Sequence, residues 1–248
     1  MESFTKAYRD KQLARNMAAL DKIVRREPVA PGRVIPAAED IPIYDGRRID
    51  ATVMFVDISS FSQRPGWTIQ EQEQLLRVLS LFFTEMIRIV NDFDGEVEKN
   101  TGDGLMAYFV KGAQDTVTVQ QRAVAAALTM FYAAENFINP ILVHSGIDPI
   151  KFRVCMDHGP ITIAKVGLAR GFNGIVAIGT TANIASKMLA SADPDSILIG
   201  GKVMAGLPQS WRDKWVKFKT TDTGWYYRES GTSYLYWEYI GRWVEPVV

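Results

Sequence analysis

The chain has 248 residues, carries 28 Lys and Arg against 28 Asp and Glu, and is 47% hydrophobic. A chain of this length buries a core without help from disulfides or a structural metal. Its composition excludes global disorder, and its formal charge of zero lacks the basic excess of a general nucleic-acid binder.

Residues 1–26 set Leu13, Met17, Leu20 and Ile23 near helical spacing among Lys, Arg and Ala, which predicts a short amphipathic arm rather than a secretion signal. Four prolines and one glycine over 27–43 predict an extended connector. The main domain is expected over 44–248. It opens with a buried strand over 51–56 (ATVMFV) that ends at Asp57. Thr68 caps a helix starting near Ile69, with Glu71 at the capping-box position and apolar residues recurring from Leu75 to Val90. Asp94-Gly95 marks a hairpin turn, with strands over 96–99 and 105–109 and the segment 100–104 between them. A second helix is expected over 122–138. Strands follow over 152–157 and 161–166, around a turn at His158-Gly159-Pro160. Cys155, the single cysteine, lies in an apolar run and reads as a core residue. A third helix over 181–189, a strand over 196–200 and a Trp/Tyr-rich strand pair in the last thirty residues complete the order. The order is β-α-β-β-α-β with extensions, an α+β fold of the ferredoxin-like, split βαβ plan, with an N-terminal helical arm and a C-terminal β extension. No apolar run approaches the ~20 residues of a membrane span, so a soluble, cytoplasmic chain is expected.

Two acidic residues end hydrophobic strands. Asp57 follows Met54-Phe55-Val56, and Asp103 sits at a hairpin tip in Thr101-Gly102-Asp103-Gly104. Neighbouring strands would bring both carboxylates to one sheet edge, where they could hold two divalent ions and leave coordination sites for water and phosphate oxygens. The small residues after Asp57 (Ile58, Ser59, Ser60, Phe61, Ser62) could cradle a polyphosphate through their amides. Either Asp alone is equally a turn former. In GTTANIASKM (179–188), Asn183 and Lys187 share one helix face, suited to a ribose and a charged phosphate, or simply to solvent.

With these motifs in place, the sequence resembles the class III nucleotidyl cyclases over roughly 50–200. The resemblance rests on FVDISSFS (55–62), EKNTGDG (98–104), the segment 153–159 and GTTANIASKM (179–188). It implies a head-to-tail homodimer with sites at the interface. Asp57, Asp103 and the Ile58 carbonyl of one subunit would bind two Mn²⁺ or Mg²⁺ ions. Asn183 of the other subunit would orient the ribose, and its Lys187 would stabilise the reacting phosphate. Lys187 stands where the family usually has arginine, so it keeps the charge and loses the bidentate fork.

The family positions that select the purine correspond to Lys99 and Val176. Valine can neither donate nor accept, so the adenine code is half absent and the guanine code fails at Lys99. The stand-alone form, the short N-terminal helix and the AIGTTANIASK stretch look like the pyrimidine cyclases of the Pycsar antiphage system, most of which make cyclic UMP and some cyclic CMP. That resemblance implies conversion of UTP to cyclic UMP, and a product read by a separate effector protein. Adenylate cyclase is the first alternative, and a catalytically silent nucleotide-binding module the second. Tyr44 could stack on a pyrimidine or pack under the sheet edge. Lys99 could donate to a uracil carbonyl or neutralise Glu98. His144 and His158 are weaker candidates as bases, and His158 is expected to have a structural role in its turn.

Overall fold

The computed structural model of the chain describes residues 30–31, 45–100, 102–169, 172–219, 223–228 and 230–244. The helical arm predicted over 1–26, nearly all of the connector, and Tyr44 lie outside the described residues.

Strand β1 (Gly46–Ile58) is longer than expected and runs through Asp57. It pairs antiparallel with β3 (Gly104–Val110) on one side and β4 (Phe152–Ala169) on the other. Being central, it is covered on both faces, so ATVMFV reads as a continuous apolar run. Met54, Val56 and Ile58 face one core, and Ile49, Ala51 and Val53 face another. Helix α1 (Ile69–Asp92) begins with the anticipated capping box: Thr68 accepts from the Glu71 amide, and the Glu71 carboxylate accepts from the Thr68 amide at 2.8 Å. Its buried Val78, Phe82, Met86 and Ile89 pack on the first core. Helix α2 (Val119–Ala133) joins the same core through Ala123, Ala127 and Met130.

Asp94-Gly95 turns α1 into β2 (Gly95–Asn100), with Asp94 left-handed at φ 52°, rather than joining two strands. The hairpin tip lies instead between β2 and β3. The helix expected over 122–138 begins at Val119, changes to a π-helical turn over Ala134–Ile138 and continues as α3 (Asn139–His144).

The turn expected at His158-Gly159-Pro160 is absent. These residues stay in β4, paired with Thr52, Ala51 and Asp50. A Cβ on Gly159 would stand 2.8 Å from the Thr181 hydroxyl, so this glycine allows a close approach by the next helix rather than a reversal. Strand β5 (Phe172–Ile178) pairs with the distal part of β4, and α4 (Thr180–Met188) lays Ala182 and Ala185 on the second core. Strand β6 (Ile197–Gly200) runs parallel to β4. Two short helices follow, α5 (Gly201–Ala205) and α6 (Gln209–Trp215). Strand β8 (Tyr236–Tyr239) pairs with β7 (Val216–Phe218), which precedes the last thirty residues, whereas residues 225–227, expected in a strand, make only an isolated bridge between Tyr226 and Ser233. The sheet order β2-β3-β1-β4-β6-β8-β7 contains the split βαβ arrangement, with α1 and α2 on one face and α4 on the other.

Candidate active site

Register sets the two predicted acidic residues on neighbouring stretches of backbone. Asp57 on β1 stands opposite Gly104 on β3, and the Ile58 amide donates to the Asp103 carbonyl at 3.1 Å. Alternation along β1 puts Asp57 on the same side as Ala51 and Val53, which is the side carrying α4. Both Asp57 and Asp103 are half-buried. Ile58 therefore ends the β1–β3 ladder, with its carbonyl on the edge shared with Asp103.

Sequence reasoning assigned no role to Arg153, which stands opposite Asp57 on β4. Its Nε and Nη2 both approach Asp57 Oδ2, at 2.9 and 2.8 Å, and its Nη1 donates to the Ala192 carbonyl at 3.3 Å. The guanidinium thus fixes one carboxylate oxygen and leaves Oδ1 for another partner. An arginine two positions before a buried cysteine, in a strand predicted to flank Asp57, was the available signal.

The turn after Ile58 is built for an incoming polar group. Ser60 is left-handed at φ 57° and introduces a single 3₁₀ turn over Phe61–Gln63. Among the described residues, the amides of Ser60, Phe61 and Ser62 have no intrachain acceptor. The Ser59 hydroxyl is buried without a hydrogen-bond partner, which costs about 1–3 kcal/mol unless a ligand or water satisfies it. Phe61 anchors the turn against the first core. These observations and the all-oxygen donor set of Asp57 Oδ1, Asp103 and the Ile58 carbonyl fit a hard divalent cation that shares its shell with phosphate oxygens. Two carboxylates cannot close such a shell. Among the described residues no third His, Cys, Asp or Glu joins them, so the remaining positions fall to substrate and water.

Asn183 and Lys187 lie one turn apart on α4. Both are exposed, and neither side chain has a hydrogen bond or ion pair among the described residues. Thr181 in the first turn of α4 is tied to Pro160, which pairs with Asp50. Asp57 lies seven residues further along β1, roughly 23 Å at the strand rise. The first turn of α4 thus lies toward the end of the strand away from Asp57, and the chain after α4 returns to it, where Arg153 bridges the Ala192 carbonyl and Asp57. Val176 is half-buried on β5 opposite Ala164. Lys99 lies on β2 beside a register shift at Val97/Lys99. His158 Nδ1 is hydrogen-bonded to the buried Thr52 hydroxyl at 3.0 Å, and burial pushes its pKa down, so its structural role holds although its turn does not. Burial drives the Cys155 thiol far up, which removes it as a nucleophile.

Residues 43–232 match the model of the adenylate and guanylate cyclase catalytic domain. A cytidylate cyclase from Staphylococcus aureus is 24% identical over 60% of this chain and 36% of its own length. A uridylate cyclase from Gulbenkiania mobilis is 25% identical over 64% of this chain and 62% of its own. An adenylate cyclase from Anabaena cylindrica is 26% identical over 69% and 34%. The chain thus spans between about a third and just under two thirds of these relatives. Its fold matches that of the adenylyl cyclase CyaB from P. aeruginosa at a TM-score of 0.66 and 20% identity, covering 82% of this chain and 100% of that one.

Proposed function

The chain belongs to the family of adenylate and guanylate cyclase catalytic domains, and from that premise we propose that it cyclises UTP to 3′,5′-cyclic UMP and pyrophosphate. The observation that supports the cyclisation chemistry is the backbone adjacency of Asp57 and Asp103 at one strand edge, beside a turn whose amides have no acceptor among the described residues. Divalent cations held by Asp57, Asp103 and the Ile58 carbonyl would supply acidification of the ribose 3′-hydroxyl and neutralisation of the triphosphate. The 3′-oxygen attacks the α-phosphorus, its proton passes to solvent, and pyrophosphate leaves.

This chain's residues do the positioning. The amides of Ser60 and Phe61 and the Ser59 hydroxyl receive phosphate oxygens, and Arg153 holds Asp57 in place. Asn183 and Lys187 of a second copy would face the ribose and the reacting phosphate, a reading supported by the first turn of α4 lying beside Pro160, seven strand positions from Asp57. The working unit is therefore a homodimer with its sites at the interface. The arm over 1–43 is read as a segment outside the cyclase domain proper. The effector is a separate protein that reads cyclic UMP in antiphage defence, in keeping with the likeness to uridylate cyclases.

Uridine is favoured because Val176 offers no hydrogen bond to a purine edge, while Lys99 and Tyr44 would serve a uracil carbonyl and ring. The likeness to an adenylate cyclase keeps ATP as the second reading. Purified protein given each of the four nucleoside triphosphates with Mn²⁺ and analysed by mass spectrometry tests both. Cyclic UMP is the expected main product. Cyclic AMP as the main product rejects the pyrimidine reading, and no cyclic product from any of the four rejects catalysis.

A further inference from the structure

A hollow of about 380 Å³ lies on the α4 side of the sheet and includes none of Asp57, Asp103, Asn183 or Lys187. Its floor is Asp157, which is 6% exposed and accepts a hydrogen bond from the Tyr234 hydroxyl at 2.8 Å. Desolvation pushes this carboxyl up to about 6, and the oxygen not bonded to Tyr234 is left as an acceptor for a polar group in the hollow. Trp225 and Tyr227 form aromatic walls, and each ring lies within about 6 Å of Tyr234, at 6.1 and 5.4 Å between centroids. Lys202 and Arg228 stand at the rim, both exposed, and among the described residues neither makes an ion pair. Gly200 leaves room for that hydrogen bond, because a Cβ there would collide with both Asp157 Oδ1 and the Tyr234 hydroxyl.

We propose that this hollow binds a mononucleotide at a site separate from the catalytic one. The ring lies among Trp225 and Tyr227 with its N–H edge toward Asp157, and the phosphate meets Lys202 and Arg228. Each part of the hollow answers one part of that ligand: aromatic faces for a planar base, a buried carboxyl for a polar base edge, and exposed cations at the rim for a single phosphate. The volume lies within the usual range of small-molecule sites. Occupancy bears on turnover through α4, because Thr180, Thr181 and Ile184 line the hollow and share two helical turns with Asn183 and Lys187.

The test uses the full chain carrying Asp57→Asn and Asp103→Asn, in EDTA, so that cation-dependent binding at the catalytic edge is removed. Calorimetric titrations with cyclic UMP, UMP and orthophosphate separate a cyclic product, an open monophosphate and a bare anion. One mononucleotide is expected to bind per chain. Lys202→Ala with Arg228→Ala should weaken it about ten-fold or more, as loss of charge-assisted contacts requires. Both positions are exposed, so the fold tolerates the change. Tyr227→Ala should weaken it also, and Lys187→Ala should leave it unchanged. Absence of mononucleotide binding, binding indifferent to Lys202 and Arg228, or orthophosphate binding as tightly as the mononucleotides overturns the proposal.

Discussion

The contact between Arg153 and Asp57 allows a quantitative test of how the candidate metal ligand is held. Two guanidinium nitrogens reach Asp57 Oδ2, at 2.9 and 2.8 Å, with the side chains 28% and 20% exposed. With charge centres roughly 4 Å apart and an effective dielectric of about 20, the Coulomb attraction is about 4 kcal/mol. Up to about 2 kcal/mol of arginine rotamer entropy and the partial desolvation of both charges oppose it. The expected net coupling is about 1–2 kcal/mol, above the value of an exposed pair and below that of a fully buried one. A double-mutant cycle with Arg153→Met and Asp57→Asn, followed by urea unfolding, reads that coupling directly. A coupling under about 0.3 kcal/mol would refute the reasoning, since Asp57 would then be oriented by something other than Arg153.

Other expectations follow from single residues. Asp103→Asn should lower cyclase turnover by about a thousand-fold or more while leaving the unfolding midpoint nearly unchanged, measured as cyclic nucleotide formed per minute. Asp157 has its folded-state pKa raised from 3.8 to about 6 by desolvation, so the folded state holds the proton more tightly than the unfolded chain does. Its stabilising contribution is full below about pH 4 and is lost as pH rises through about 6, which amounts to about 3 kcal/mol. Asp157→Asn should therefore flatten the fall in stability between pH 4 and 7 and stabilise the protein at neutral pH. Urea titrations at both ends check this, and an unchanged pH slope contradicts it. Gly200→Ala should cost about 2–4 kcal/mol in the same assay, because its methyl group displaces the Tyr234–Asp157 hydrogen bond.

The central elements were legible because local and tertiary signals agree in them. The run ending at Asp57 had to be a covered strand. Thr68 and Glu71 form the reciprocal cap their spacing predicts, and the Gly-Asp-Gly tip leads into β3 beside β1, with the Asp103 carbonyl bonded to the Ile58 amide. Local signals misled where packing outweighed them. His158-Gly159-Pro160 has the composition of a turn, yet thirteen pairs with β1 keep β4 continuous, and Gly159 serves the approach of Thr181. Arg153 was missed because its partner lies 96 residues away in sequence, a separation no short motif reports. The hollow at Asp157 was hidden for the same reason, since its walls come from β4, α4, α5 and the aromatic segment before β8.

The claim on which the account depends is that one protomer supplies the acidic edge and another supplies Asn183 and Lys187. Co-expressing Asp57→Asn with Lys187→Ala, each inactive alone, measures this. Random pairing makes half the dimers mixed, each with one intact site of two, so turnover should recover to about a quarter of wild type. If the mixture stays as inactive as its parts, the two halves of the site belong to the same protomer and the account is wrong.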